Sequence, residues 1–171
     1  HPNVAICLNN LAELLQATNR LAEAEPLCRR VLEVFEKSLG PHHPNVATAL
    51  NNLSGLLRAT NRLGEAERLV RRGLVINEAS YGKDHPDVAI SLAWLADLLR
   101  ATNRMAEAEP LMRRMVEIFL KFTAATGHQH PHLGAAINNY GGLLKAMGRS
   151  EDQARAEISK LMAQYGMRLG S

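Results

Sequence analysis

The chain repeats itself with a period of 42 residues. Three copies open with the dipeptide His-Pro, at residues 1–2, 43–44 and 85–86. The same copies carry the segment Ala-Thr-Asn-Arg, at residues 17–20, 59–62 and 101–104. A looser fourth copy begins at His130, three residues late. Self-similarity at a fixed period of this length is typical of stacked structural units that bury their apolar faces against one another.

The period predicts repeat units at about 1–42, 43–84, 85–129 and 130–171. We expect them to form a single array. Because the chain opens at a repeat boundary, we also expect that array to be part of a longer protein. The fourth unit departs from the others, since Gln153 stands where the three earlier copies have alanine. Such degeneracy is typical of a terminal repeat.

Each unit is predicted to contain two helices. Residues 4–15 place apolar side chains at the spacing of a single helix face. Asn19 is expected to end this helix in the left-handed conformation, because the fourth copy has Gly148 at the same place. A second helix is expected over residues 21–39, where Gly40 stops it. Small residues stand where paired helices would approach closely: Ala12, Ser54, Ala96 and Gly141. The sequence therefore predicts an all-α fold of four antiparallel helix pairs.

Composition restricts the function of the chain. Apolar residues make up 46% and aromatic residues 4%, so we expect a core of Leu, Ala, Val and Met. A net charge of +3 is too small to indicate a nucleic-acid partner, and no apolar run reaches the ~18 residues of a membrane span. Cys7 and Cys28 align with Ala, Ser, Val or Met in later copies, which predicts buried side chains that fill space. We expect a cytoplasmic protein.

Two patterns that suggest chemistry have simpler explanations. Arginine pairs recur on the second helices, but a glutamate precedes each by four residues, which is typical of a solvated helix face. The pairs begin at Arg29, Arg71 and Arg113, and the glutamates are Glu25, Glu67 and Glu109. His128, His130 and His132 alternate without a nearby carboxylate or thiol to complete a metal site. In the absence of a phosphate loop, nucleophile elbow or paired His-Glu motif, we expect no enzyme activity, cofactor or metal.

The spacing of several residues resembles the tetratricopeptide repeat: Leu11-Ala12, Leu15, Asn19-Arg20 and Ala24. With HPxVAxxLNNLAxLL followed by EAEPLCRRxLEVxEKxLG, the 42-residue unit resembles the kinesin light chain subclass. The usual unit has about 34 residues. This resemblance implies a right-handed superhelical solenoid whose first helices line a concave groove. It also implies that the groove binds a protein or peptide partner, whose backbone is held by asparagines at the places of Asn10, Asn52 and Asn139.

One face of the first helices carries the candidate contacts. In the first copy its side chains are Ile6, Asn10, Glu13 and Ala17. A carboxamide offers both donor and acceptor, and so matches a peptide unit without reading its side chain. With packed helices about 8–10 Å apart, successive asparagines would hold about every third residue of a strand that advances about 3.3 Å per residue.

The predicted peptide-binding residues are Asn9, Asn10, Asn51, Asn52, Trp94, Asn138, Asn139, Arg58, Arg100 and Lys145. The three cations favour an acidic partner, and Trp94 would supply an aromatic anchor. Alternatively, the asparagines bond across neighbouring helices and hold the stack, and Trp94 packs against the next repeat. The array would then be a structural spacer, or a homo-oligomer joined through exposed repeat ends, within a larger signalling protein. A small-ligand sensor near Trp94 is a third class, which no specific residue set favours.

Overall fold

The computed structural model describes residues 2–168, without the side chains of residues 2, 3 and 6. His1 and the Ile6 side chain of the predicted face therefore lie outside the described residues. Every regular element in the described range is a helix: α1 (Pro2–Ala17), α2 (Leu21–Leu39), α3 (Pro44–Ala59), α4 (Leu63–Tyr81), α5 (Pro86–Ala101), α6 (Met105–Thr126), α7 (Leu133–Ala146) and α8 (Glu151–Ala163). The prediction of an all-α fold is confirmed.

The helices fall into two compact units. The N-terminal unit, His1–Lys83, contains α1 to α4, and the C-terminal unit, Asp84–Ser171, contains α5 to α8. Within each unit, consecutive helices pack as hairpins. The second helix of one hairpin also packs on the first helix of the next, α2 on α3 and α6 on α7. Each unit is thus a stack of two helix pairs, while the proposed repeat boundaries stay a prediction.

The recurrent histidine caps the first helix of a pair. Nδ1 of His43 accepts a hydrogen bond of 3.1 Å from the backbone N–H two residues later, and Nδ1 of His85 does the same at 3.1 Å. Each imidazole satisfies an N–H that has no partner within the helix, and the intervening proline has no N–H to satisfy. In the fourth copy Nδ1 of His130 makes this contact at 3.2 Å, but α7 begins only at Leu133.

Each first helix is followed by a left-handed residue. The φ angles of Asn19, Asn61 and Asn103 are 57°, 60° and 58°, and Gly148 at the same place has a φ of 92°. Asparagine tolerates this conformation better than most residues with a side chain, and glycine adopts it without steric cost. The predicted helix ends are therefore confirmed, and they fix the tight turn that brings the second helix back along the first.

Small residues at the predicted positions allow the paired helices to pack closely. Ala12 is 1% exposed, and Ser54 and Ala96 are completely buried. A Cβ atom on Gly141 would lie 3.2 Å from Cδ1 of Ile158 in α8. Because protein interiors are close-packed, a larger side chain at these positions would push the paired helices apart.

One face of α1 is not covered. Three of its apolar side chains are between 45% and 60% exposed: Val4, Leu11 and Leu14. Their counterparts in α3 are fully buried: Val46, Leu53 and Leu56. Cys7 lies on the same face and is exposed, so the prediction of two buried cysteines is wrong for Cys7 and confirmed for Cys28. Cys7 is exposed because this face of α1 is uncovered. At the same place in α3, Ala49 packs against α2 and is 3% exposed.

The last helix starts one residue later than the repeat predicts. Oγ of Ser150 accepts a hydrogen bond of 3.2 Å from the N–H of Gln153, whose Oε1 accepts one of 2.9 Å from the N–H of Ser150. This capping box inserts a residue into the turn. As a result Ala154, at 3% exposure, takes the buried place of Ala24 in α2. The predicted alignment of Gln153 with Ala24 is therefore wrong, and α8 keeps the buried alanine.

Candidate peptide-binding face

The predicted face is accessible to solvent on all four first helices. We define the first-helix face by its described side chains: Asn10, Glu13 and Ala17 on α1; Thr48, Asn52, Gly55 and Ala59 on α3; Ile90, Trp94, Asp97 and Ala101 on α5; and Ala135, Asn139, Gly142 and Ala146 on α7. None of these residues is buried. Seven of these fifteen residues are alanine or glycine, so the face presents many short side chains to a ligand.

In the N-terminal unit, asparagines connect the two first helices. Nδ2 of Asn52 donates a hydrogen bond of 2.9 Å to Oδ1 of Asn9, and Nδ2 of Asn9 donates one of 2.6 Å to Oε1 of Glu13. Asn9 and Asn52 thus support the packing of α3 beside α1, as the structural alternative requires. Asn52 retains its carboxamide oxygen and a second N–H for a ligand. Asn10 is exposed, and its side chain makes no hydrogen bond within the described residues.

Asn51 lies inside the N-terminal unit and not on the first-helix face. It is 7% exposed. Its Oδ1 lies 3.2 Å from the place where a Cβ atom on Gly73 would stand, and the Ala47 carbonyl oxygen lies 3.4 Å from it. Asn51 therefore packs α3 against α4, and a residue without a side chain at position 73 makes that approach possible. We assign Asn51 to the core and leave it out of the proposed contacts.

In the C-terminal unit the first-helix face is more apolar. Ile90 is 37% exposed, and Trp94, one turn later on α5, is half-buried. Asn139 on α7 is exposed and makes no side-chain hydrogen bond within the described residues. Asn138 is also exposed, but it lines a cavity of about 470 Å³ next to Met162 of α8. Trp94 and Asn139 thus lie on the first-helix face, while Asn138 lies on the side toward α8.

The three predicted cations differ in their pairing. Arg58 is exposed and makes no ion pair within the described residues. Nη1 of Arg100 lies 3.5 Å from Oδ1 of Asp97, and Nζ of Lys145 lies 2.8 Å from a carboxylate oxygen of Glu151. That lysine lowers the pKa of the Glu151 carboxyl. Since two of the three cations have carboxylate partners, only Arg58 adds positive charge that is not already balanced.

The arginine rows of the second helices behave largely as predicted. Glu25 pairs with Arg29 at 2.7 Å and Glu67 with Arg71 at 2.6 Å, which confirms two of the three predicted pairs. The third is wrong, because Arg113 pairs instead with Glu117 at 3.2 Å. The carboxylate expected to bind Arg113, that of Glu109, accepts a hydrogen bond of 2.8 Å from the hydroxyl of Tyr140. A tyrosine at a position that is leucine in the other copies was the sequence signal for this difference.

The loop that carries His128, His130 and His132 packs against aromatic rings. The imidazole of His130 stacks on the ring of Phe119 at 4.3 Å and meets the edge of Phe122 at 5.0 Å. Burial, and secondarily the neighbouring His132, lowers the pKa of His130. Among the described residues, no group of three His, Cys, Asp or Glu side chains is placed to hold a metal ion. Nor does any described helix combine the length and apolar character of a membrane span.

Comparison with known proteins agrees with this architecture. Two family models, both described as Tetratricopeptide repeat, match residues 3–79 and 78–119. No curated protein matches the sequence significantly. Among solved structures, the nearly identical TPR-like repeats of a protein assigned as a kinesin light chain in Podosopora anserina superpose with a TM-score of 0.76. The two sequences are 23% identical over 96% of this chain and 74% of that chain.

A second structure has a similar fold. BtubC (BKLC) from P. vanneervenii superposes with a TM-score of 0.80, at 19% identity over 100% of this chain and 68% of that chain. The protein is thus an all-α repeat protein built from helix hairpins. It belongs to the tetratricopeptide repeat family, whose fold serves in general as a scaffold for protein–protein interaction. The resemblance to kinesin light chain-like repeats is confirmed at the level of the fold.

Proposed function

We propose that the protein binds an extended segment of a partner protein along the first-helix face, and that it does so in the cytoplasm. The observation that carries this proposal is the pair Asn10 and Asn139, whose carboxamides are exposed and form no side-chain hydrogen bond within the described residues. An exposed carboxamide among small neighbours can donate to a ligand carbonyl and accept from a ligand N–H. The free thiol of the exposed Cys7 supports the location, since exposed thiols persist in a reducing compartment.

Each unit would contribute a different kind of contact. On α1 and α3, Asn10 and the remaining donor and acceptor of Asn52 would hold the ligand backbone, independently of its sequence. On α5, the accessible parts of Ile90 and Trp94 would receive an apolar ligand side chain. Aromatic anchors of this kind contribute strongly to binding at interfaces. A segment that binds the C-terminal unit would therefore carry at least one apolar residue.

The preference for an acidic ligand rests mainly on Arg58. Arg100 and Lys145 have carboxylate partners, and a ligand carboxylate would have to compete with them. We therefore propose a modest acidic preference, measurable as weaker binding of a neutral than of an acidic peptide to the intact chain. The difference should shrink when Arg58→Gln is introduced, and equal affinity of both peptides for the intact chain would remove the preference.

The test uses the exposed asparagines. A partner segment captured by the intact chain is measured by calorimetry against the intact chain, Asn10→Ala and Asn139→Ala. Each substitution should weaken binding by about 1 kcal/mol, the usual contribution of a hydrogen bond. Asn45→Ala is the matched control, since Asn45 is exposed at the start of α3 and lies outside the first-helix face. Unchanged affinity for the Asn10 and Asn139 variants, with unfolding midpoints equal to that of the intact chain, would overturn the proposal.

A second candidate function, a stacking array, is favoured by the uncovered face of α1. The chain shows what covers this face elsewhere: on α3, Leu32 and Phe35 of α2 pack against the cluster that contains Val46. We infer that the face of α1 receives the second helix of a further hairpin of the same kind, supplied by the same polypeptide. The repeat array would then be longer than the present chain.

This candidate is tested by fusing a copy of residues 1–42 in register ahead of residue 1. The added hairpin should raise the unfolding temperature, and Leu14→Gln should be nearly neutral in the present chain but destabilising in the fusion. A fusion whose added copy carries Leu32→Lys and Phe35→Lys is the control, since its second helix cannot cover the face. If sedimentation shows that the present chain dimerises and Leu14→Gln abolishes the dimer, the face binds a second copy and the inference is wrong.

A further inference from the structure

The two units differ at one boundary between three helices. Three residues that are apolar on α3 and α4 are polar at the equivalent places on α7, on α8 and directly after α8: Leu53 and Tyr140, Leu69 and Glu157, Ile76 and Gln164. The equivalence follows from the helix starts and is supported by buried residues that coincide, Ala66 with Ala154 and Val70 with Ile158. The three substitutions therefore occur in one structural register.

In the N-terminal unit these positions belong to the apolar core. Leu53 is completely buried, Ile76 is 3% exposed, and Leu69 packs against the cluster that contains Ile76. In the C-terminal unit the three polar replacements line one cavity of about 260 Å³, together with Arg113, Lys160 and Leu161. A cavity into which a few polar groups converge is the usual form of a small-ligand site.

The carboxylate in the cavity already has partners. Oε1 of Glu157 lies 2.8 Å from the Tyr140 hydroxyl, and Oε2 pairs with Nη1 of Arg149 at 2.9 Å. The hydroxyl of the completely buried Tyr140 also lies 2.8 Å from Oε1 of Glu109, so the two carboxylates share its one proton. Among the described residues, Glu157 is therefore held in place by Arg149 and by the hydroxyl that it shares with Glu109.

The unused groups of the cavity are mainly donors. Lys160 makes no ion pair, and the side chain of Gln164 makes no hydrogen bond, within the described residues. Arg113 uses Nε for Glu117 at 3.2 Å, so its terminal nitrogens remain available. A ligand that satisfies these groups must be rich in acceptors. Carboxylate and phosphate groups both meet this requirement.

The charges around the cavity decide between a carboxylate and a phosphate ligand. The cations Arg113, Arg149 and Lys160 equal in number the carboxylates Glu109, Glu117 and Glu157. A dianion such as phosphate would leave the cluster strongly negative, whereas a monoanion changes the balance by one charge. We propose that this cavity binds a carboxylate group, with Lys160 and Arg113 as cationic donors and Gln164 as the amide donor. The proposal concerns the boundary of α6, α7 and α8 and does not depend on the first-helix face.

The carboxylate could come from a free carboxylic acid or from an acidic side chain of a partner protein. Two probes separate these sources: sodium acetate, and a peptide in which one glutamate is flanked by glycines, with blocked ends. Each is titrated into the full chain at constant ionic strength, and the side-chain amide signal of Gln164 is followed by NMR. Shifts with both probes indicate a general carboxylate site, and stronger binding of the peptide points to a partner side chain.

Substitutions locate the site. Lys160→Gln should weaken binding of the better probe by about tenfold, because a hydrogen bond to a charged group is lost. Gln164→Ile restores the residue of the N-terminal unit and should also weaken it. Arg155→Gln, an exposed arginine on the same helix that does not line the cavity, should leave affinity unchanged. The proposal would be overturned if neither probe gave a saturable shift, or if the Arg155 and Lys160 variants lost affinity equally. Tighter binding of inorganic phosphate than of acetate would overturn the choice of ligand.

Discussion

Nδ2 of Asn52 donates a hydrogen bond of 2.9 Å to Oδ1 of Asn9, although the two residues occupy different positions of the repeat. Asn9 corresponds to the buried Asn51, and Asn52 corresponds to the exposed Asn10. In the first copy the dipeptide therefore has one residue bonded to the neighbouring first helix, Asn9, and one exposed residue, Asn10. Asn10 and Asn139 are thus suited to bind a ligand without loss of contacts within the described residues, whereas Asn52 already donates to Asn9.

A double-mutant cycle should measure this contact. Asn9→Ala, Asn52→Ala and the double variant are compared by urea unfolding, and the coupling free energy should be about 0.5–1.5 kcal/mol, as for other hydrogen bonds. Asn10→Ala should leave stability almost unchanged, because its side chain forms no hydrogen bond within the described residues. A coupling free energy near zero would mean that the Asn9–Asn52 bond contributes nothing to the packing of α1 and α3.

Gly73 should be sensitive to the addition of a side chain. Gly73→Val should destabilise the protein by about 1–3 kcal/mol, the usual effect of overpacking, because its Cβ would meet Asn51 and the Ala47 carbonyl. Asn51→Ala should recover part of the loss, since the third copy pairs Ala93 with Met115 at these two places. Thermal unfolding of both single variants and the double variant checks this. Equal stability of Gly73→Val with and without Asn51→Ala would show that the two positions are independent.

The helices could be predicted from the sequence because their signals are local and occur several times. The φ values of Asn19 and its counterparts follow from a residue type that tolerates the left-handed region, and glycine at the fourth site, Gly148, indicates the same conformation independently. The repeat also identified the small residues between paired helices. By contrast, the capping box at Ser150 shifted α8 by one residue, which repeat spacing alone could not reveal.

The candidate site was harder to predict because burial depends on what packs over a helix. Asn9, Asn51 and Asn138 share a repeat position, yet one is half-buried, one is 7% exposed and one is exposed. Asn51 is buried because Gly73 leaves room for it on α4. Cys7 is exposed because the face of α1 is uncovered. For both Asn51 and Cys7, the presence or absence of packing from another helix decides the outcome.

A four-residue charge network should stabilise the N-terminal unit more than its separate pairs suggest. Glu25 pairs with Arg29 at 2.7 Å and with Arg62 at 2.7 Å, and Arg29 also pairs with Glu65 at 2.8 Å. These contacts, first with Arg29 and then with Arg62, lower the pKa of Glu25. Glu25→Gln should therefore reduce the free energy of unfolding at neutral pH and low salt by about 1 kcal/mol.

Salt and pH provide the checks on this network. The cost of Glu25→Gln should decrease at high ionic strength, and also as the pH falls from the ordinary glutamate pKa of about 4.3 through the lower pKa of Glu25 in the folded protein. Glu23→Gln is the matched control on the same helix and should have a smaller effect, since within the described range Glu23 pairs only with Arg20, on the surface. An effect of Glu25→Gln that is independent of salt would mean that the network contributes little through charge.

Acid should destabilise the protein through His130. Burial lowers the pKa of this imidazole, so the folded protein prefers the neutral form. The stabilisation is then complete above the unfolded pKa of about 6.5 and is lost as the pH falls through the lower folded pKa. Protonation would also remove the Nδ1 acceptor for the N–H of His132. His130→Asn keeps an acceptor at this place but does not titrate. The unfolding free energy should therefore fall more steeply between pH 7 and 5 in the unsubstituted chain than in His130→Asn, and parallel curves from urea unfolding would contradict the prediction.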